Sequence, residues 1–85
     1  MDALDGNSIA GTLAAVFDTE MTTATGTCAN CGSSGLVGEF AVYLRAPGIV
    51  VRCRICNNVL MVFVDVRGMM CVDLAGLRDL RTAST

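Results

Sequence analysis

The sequence predicts a small α+β domain stapled by a metal, with an N-terminal helix and an antiparallel β-sheet of three to five strands. Three observations predict it. An apolar stripe at helical period opens the chain, alternating β-type segments follow, and two Cys-x-x-Cys pairs, "CANC" and "CRIC", bracket a strand–turn–strand stretch. A length of 85 residues fits one domain, 1–85. A core this small is marginal by itself, and small domains add disulfides, a metal or an interface.

The N-terminal helix is assigned to 1–22. In "DGNSIAGTLAAVFDTEM", Ile9, Leu13, Val16, Phe17 and Met21 fall on one stripe, with Asp5 or Asn7 as N-cap. Gly11 costs the helix about 1 kcal/mol relative to alanine. With Ala10, Ala14 and Ala15 it leaves a flank where another backbone can come close. The apolar stripe is expected to cover the sheet. "TTATG" then separates helix from sheet.

The strands "EFAVYLRA" and "IVVRCR" are joined by Pro47 and Gly48, which suit the central positions of a type II turn. Pairing Ala46 with Ile49 puts Phe40, Val42 and Leu44 on one face with Ile49, Val51 and Cys53. Tyr43 and Arg45 then share the other face with Val50, Arg52 and Arg54, and Tyr43 stands opposite Arg52 in cation–π reach.

The strand "NVLMVFVDVRG" and an additional strand within 68–76, "MMCVDLAG", form a second hairpin. A three-residue loop, Arg67 to Met69, groups Leu60, Val62, Val64 and Val66 with Met70, Val72 and Leu74. The other side carries Val59, Met61, Phe63, Asp65 and Arg67 facing Cys71 and Asp73, and needs a cover: the helix, a second copy or a partner. The tail, 77–85, is read as a helical turn around Leu77 and Leu80.

Two residues between cysteines let both sulfurs of a pair reach one ion from a tight turn. The residue after each second cysteine needs a positive φ, and Gly32 and Asn57 are the types that tolerate it best. Cys28, Cys31, Cys53 and Cys56 therefore read as four thiolates around one structural zinc. An iron site of the rubredoxin type uses the same four-cysteine geometry, but its usual aromatic shell is absent. Redox catalysis by a Cys-x-x-Cys pair asks for a helix in a βαβ setting, whereas these pairs sit at strand ends. The fifth cysteine, Cys71, is read as a small apolar filler beneath the helix. With no histidine, catalysis would fall to carboxylates such as Asp65 and Asp73, which read as hairpin neighbours, so no enzyme is expected.

"TCANCG" followed by "VVRCRIC" resembles a zinc ribbon, a family of small zinc modules found in many translation, transcription and RNA-processing proteins. The resemblance covers 27–67 and implies a zinc-ribbon-like sheet. The whole-chain arrangement "MDALDGN…C-x-x-C-G…YLRAPG…VRC-x-x-C" resembles an uncharacterised family of small bacterial proteins with a domain of unknown function, which implies a fold and no activity.

The N-terminus has neither a basic n-region nor a long apolar h-region, so a reducing cytoplasm is the expected compartment. The longest aliphatic and aromatic run, Val59 to Val64, is too short for a bilayer, and no membrane association is expected. The chain is 53% hydrophobic and 16% charged, which leaves apolar surface for association. Its formal charge is -2, reaching -4 with four thiolates on one divalent ion, so no overall field draws it to phosphate backbones. The favoured function is a structural zinc module in protein interaction or assembly, docking a protein partner or a second copy through apolar surface around Met61, Phe63 and Met69. A nucleic-acid-binding ribbon using Tyr43, Arg45, Arg52 and Arg54 is the alternative, and a rubredoxin-like iron electron carrier the second.

Overall fold

The computed structural model describes residues 4–45 and 48–82. Strand β1 (Leu4–Asp5) leads directly into a 3-10 turn (Gly6–Ile9), where Asp5 serves as N-cap by accepting a hydrogen bond from the Asn7 N–H at 3.2 Å. The turn runs into α1 (Ala10–Phe17), which ends where Asp18 enters the left-handed region at φ 57°. The helix is thus shorter than the predicted span, and Met21 is buried from the loop that follows it.

The remaining strands are β2 (Thr25–Cys28), β3 (Ser34–Leu36), β4 (Ala41–Arg45), β5 (Gly48–Arg52), β6 (Val59–Val66), β7 (Met69–Asp73) and β8 (Leu77–Arg81). They form a five-stranded sheet in the order β1-β4-β5-β6-β7 and a three-stranded sheet in the order β3-β2-β8, with every pairing antiparallel. The molecule is a small, compact α+β fold.

The β4–β5 ladder pairs Arg45 with Gly48, Leu44 with Ile49 and Val42 with Val51. Gly48 therefore belongs to the ladder and is not a turn residue paired with Pro47 in the predicted type II turn, a connection that splays tight hairpins. Ala46 and Pro47 lie outside the described residues. The offset from the predicted register is two residues, an even number, so the face assignment survives. Val42 and Val51 are fully buried, and Phe40 and Cys53 nearly so.

The β6–β7 hairpin corrects a second expectation. Arg67 and Gly68 both have positive φ, 55° and 83°, so the connection has two residues with the backbone of a type I′ turn, whose twist matches the strands it joins. Val66 pairs with Met69, Val64 with Cys71 and Phe63 with Val72. This one-residue difference exchanges the two faces of β7. Met70 and Val72 stand with Phe63 on the helix side, and Cys71 is exposed on the opposite face instead of filling space beneath α1.

Helix α1 covers the face carrying Met61 and Phe63. Leu13 is fully buried, and the Phe17 ring meets Phe63 edge-on, with centroids 6.4 Å apart and planes at 88°. Met61 and Phe63 are each 1% exposed, so neither is a docking surface: the apolar stripe of the helix already occupies that place. The exposed apolar side chains lie elsewhere, with Val66, Met69, Met70 and Val72 grouped along the second hairpin.

The tail is also corrected. Leu77 and Leu80 belong to β8, which pairs with β2 through Gly26–Leu80 and Cys28–Leu77. Both pack against the core, so their three-residue spacing reflects the β-irregularity between Thr27 and Cys28 and not a helical turn.

Candidate metal centre

Each cysteine pair follows a strand whose ladder has just been interrupted. Register shifts fall between Thr27 and Cys28 in β2–β8 and between Val51 and Arg52 in β5–β6. Such irregularities bend a strand and re-aim it. Here they stand immediately before the two knuckles.

The knuckles match bond for bond. Asn30 N–H donates to Cys28 Sγ and Ile55 N–H to Cys53 Sγ, both at 3.4 Å. Gly32 N–H donates to the Cys28 carbonyl at 3.0 Å and Asn57 N–H to the Cys53 carbonyl at 2.9 Å. Cys28 and Cys53 N–H then donate to the carbonyls of Ser33 and Asn58, each at 2.9 Å. Gly32 and Asn57 have φ of 77° and 65°, the left-handed backbone that their residue types were expected to supply.

All four sulfurs lie within 4.8 Å of one another, with Cys28 to Cys56 at 3.6 Å and Cys31 to Cys53 at 3.7 Å. Four thiolates bound tetrahedrally at about 2.3 Å from one ion stand roughly 3.8 Å apart. The donor set and its spacing therefore fit a metal ion, and the four cysteines could hold one. Cys28 and Cys53 belong to the hydrophobic core, Cys56 is half-buried and Cys31 faces solvent.

The surroundings favour thiolate at two sulfurs. The Cys31 N–H brings the Cys28 thiol down to about 6, helped by the Asn30 N–H and by the Cys56 and Cys31 sulfurs and opposed by burial. The Ser33 hydroxyl and N–H lower Cys31, while burial raises Cys53. One residue beyond the ligands was not anticipated. Asn58 Nδ2 donates to Cys28 Sγ at 3.7 Å and to the Gly76 carbonyl at 3.5 Å, and that carbonyl also accepts from Ala29 N–H at 2.9 Å. The second knuckle, the first knuckle and the β7–β8 connection thus meet at one point. A Cβ at position 76 would run into the Val59 carbonyl, so glycine is required there. The only sequence signal for Asn58 is its place directly after Asn57.

A family model described as a family of unknown function, DUF6510, matches residues 1–85. The chain belongs to this family. No curated protein and no solved structure matches it. In this DUF6510 chain, no helix among the described residues is long and apolar enough to cross a membrane.

The basic and aromatic candidates are dispersed by comparison. The Arg52 guanidinium carbon lies 5.9 Å from the Tyr43 ring centroid, although Tyr43 is opposite Val50 and Arg52 reaches it diagonally. Arg52 also donates to the Asn57 carbonyl at 3.0 Å. Arg54 turns toward the carbonyls of Glu39 and Leu4, at 2.5 and 3.4 Å. Of Arg45, only its strand position opposite Gly48 is described.

Proposed function

We propose that the chain is a structural zinc-binding module acting in protein interaction or assembly, with one zinc held by Cys28, Cys31, Cys53 and Cys56 in a zinc-ribbon-like centre. The observation that carries this reading is the matched pair of knuckles, whose sulfur spacing agrees with a tetrahedral thiolate site. Two sulfurs inside the hydrophobic core make the ion part of the packing, so binding and folding are coupled. Exposed apolar side chains on the second hairpin favour a role in association. The module acts by binding and not by catalysis, in a reducing cytoplasm that keeps the thiols available.

The test is native mass spectrometry of protein purified without added metal, followed by chelation monitored by circular dichroism. One zinc per chain and loss of the folded spectrum on chelation are expected. A native spectrum after complete metal removal would refute the structural role, and an iron mass with visible absorption would replace zinc by the rubredoxin-like alternative.

A further inference from the structure

Strand β7 ends the five-stranded sheet, and among the described residues no strand pairs with its outer edge. All five residues of β7 are exposed, including Met69 at 72%, Met70 at 43% and Val72 at 39%. Exposed edges are ordinarily blunted by lysine, proline or a bulge. The segment "MMCVD" has no lysine or proline, and the β6–β7 register runs unbroken from Val62–Asp73 to Val66–Met69.

The register fixes which backbone groups point outward. In a two-residue hairpin the pair closing the turn is hydrogen-bonded, and bonded and non-bonded pairs then alternate. Val66–Met69, Val64–Cys71 and Val62–Asp73 are thus the bonded pairs, and the N–H and C=O groups of Met70 and Val72 face away from β6.

We propose that β7 pairs antiparallel with β7 of a second copy of this chain, Met70 opposite Val72 of the other copy and Cys71 opposite its counterpart on the two-fold axis. The inference rests on the reading that the chain acts by association, and it names the partner. Met70 and Val72 of the two copies exchange four backbone hydrogen bonds in this register. The neighbouring two-fold registers keep only two bonds within β7 (Met69–Asp73), those of one self-paired residue, because the next outward residues, Gly68 and Leu74, lie outside the strand. Pairing Met70 with itself sets Val72 against Gly68, whose N–H is already given to Asp65 Oδ1 at 2.9 Å. Pairing Val72 with itself sets Met70 against Leu74, whose carbonyl already accepts from Leu77 N–H at 3.0 Å.

The ends of the strand complement one another. Arg67 in the turn and Asp73 at the far end of β7 carry opposite charges, and antiparallel pairing brings the turn of each copy to the Asp73 end of the other. On the helix side, Met70 and Val72 line an open groove of about 600 Å³ with Gly11, Thr12, Ala15 and Val16. The partner's Met70 and Val72 continue that apolar floor across the axis. On the other side, the Cys71 pair is a non-bonded pair, the type that brings facing side chains closest.

The experiment measures mass by sedimentation equilibrium on metal-loaded protein over a wide concentration range. Two chains are expected for the wild type and one for Val72→Pro. Proline there removes only an outward N–H, so metal content and circular dichroism are expected to persist. Met70→Lys, which leaves the backbone intact, is expected to give the same loss should the proline variant fold poorly. A short bis-methanethiosulfonate is expected to join wild-type chains and to lose that effect in Cys71→Ser, which stays dimeric. A monomeric wild type, an undisturbed dimer in Met70→Lys, or a dimer that does not cross-link through Cys71 overturns the proposal. A monomer that retains one zinc and binds a different protein overturns this inference alone, whereas a dimer without metal overturns the zinc reading alone.

Discussion

Asn58 donates from its side-chain amide to the sulfur of Cys28, 3.7 Å away and 30 residues earlier in the chain. The same amide holds the Gly76 carbonyl, so its loss affects the sulfur's charge and the docking of the β7–β8 connection together. Outer partners of metal ligands typically contribute 10- to 100-fold in affinity. Asn58→Ala is expected to keep one metal per chain and to weaken binding by about that factor, measured by competition with a chromophoric chelator. Unchanged affinity would reduce Asn58 to a packing residue.

Gly32 and Asn57 hold equivalent left-handed positions, so substitution at either acts through the backbone. Gly32→Ala is expected to destabilise the metal-loaded protein by about 1–2 kcal/mol. Asn57→Gly is expected to be nearly neutral, since it keeps access to positive φ. Urea titration of both variants checks the contrast.

Phe63 lies beneath Phe17 with almost no exposure, and truncating it opens a cavity in the core. Phe63→Ala is expected to cost about 3–5 kcal/mol in chemical denaturation. Its metal stoichiometry should match that of the wild type under native conditions. A variant of unchanged stability would contradict the helix cover.

Metal retention is expected to fall on acidification, because every ligand must be a thiolate. Cys28, held near 6 by backbone donors, is lowered from the ordinary thiol value, so its contribution is present at high pH and is lost as pH falls through about 6. Cys53 is raised by burial, so it is protonated before metal binds, and the proton it loses on binding goes to solvent. Proton release on metal addition at pH 7, followed in weakly buffered solution with an indicator, checks this sign. Retention that improved as pH fell would contradict it.

The cysteine cluster was legible in sequence because its rules are local. Two-residue spacing and the types of Gly32 and Asn57 specify a knuckle without reference to the rest of the fold. The first hairpin kept its faces through an even register difference, while the second lost them through a single residue at Arg67–Gly68. That difference transferred Cys71 from the expected core to the exposed face. The three-stranded sheet was hidden for another reason: "TGTC" and "LRDLR" show little alternation, and their pairing joins segments some fifty residues apart. Gly76 was hidden because that long-range pairing brings it to the first knuckle, and Asn58 because its partners, Cys28 and Gly76, are 30 and 18 residues away.

The β2–β8 ladder also sets an order of assembly. All four ligand cysteines precede residue 57, whereas the strand that completes β2 begins at Leu77. During synthesis, the sulfur cluster can therefore close, around an ion if one is bound, while β2 still lacks one neighbour. Closing it shortens the chain loop that β8 must later span to find Thr25, which reduces the entropy lost in forming this long-range pairing. A metal held by these cysteines would thus act on the rate of folding as well as on its equilibrium, by making a long-range search into a shorter one.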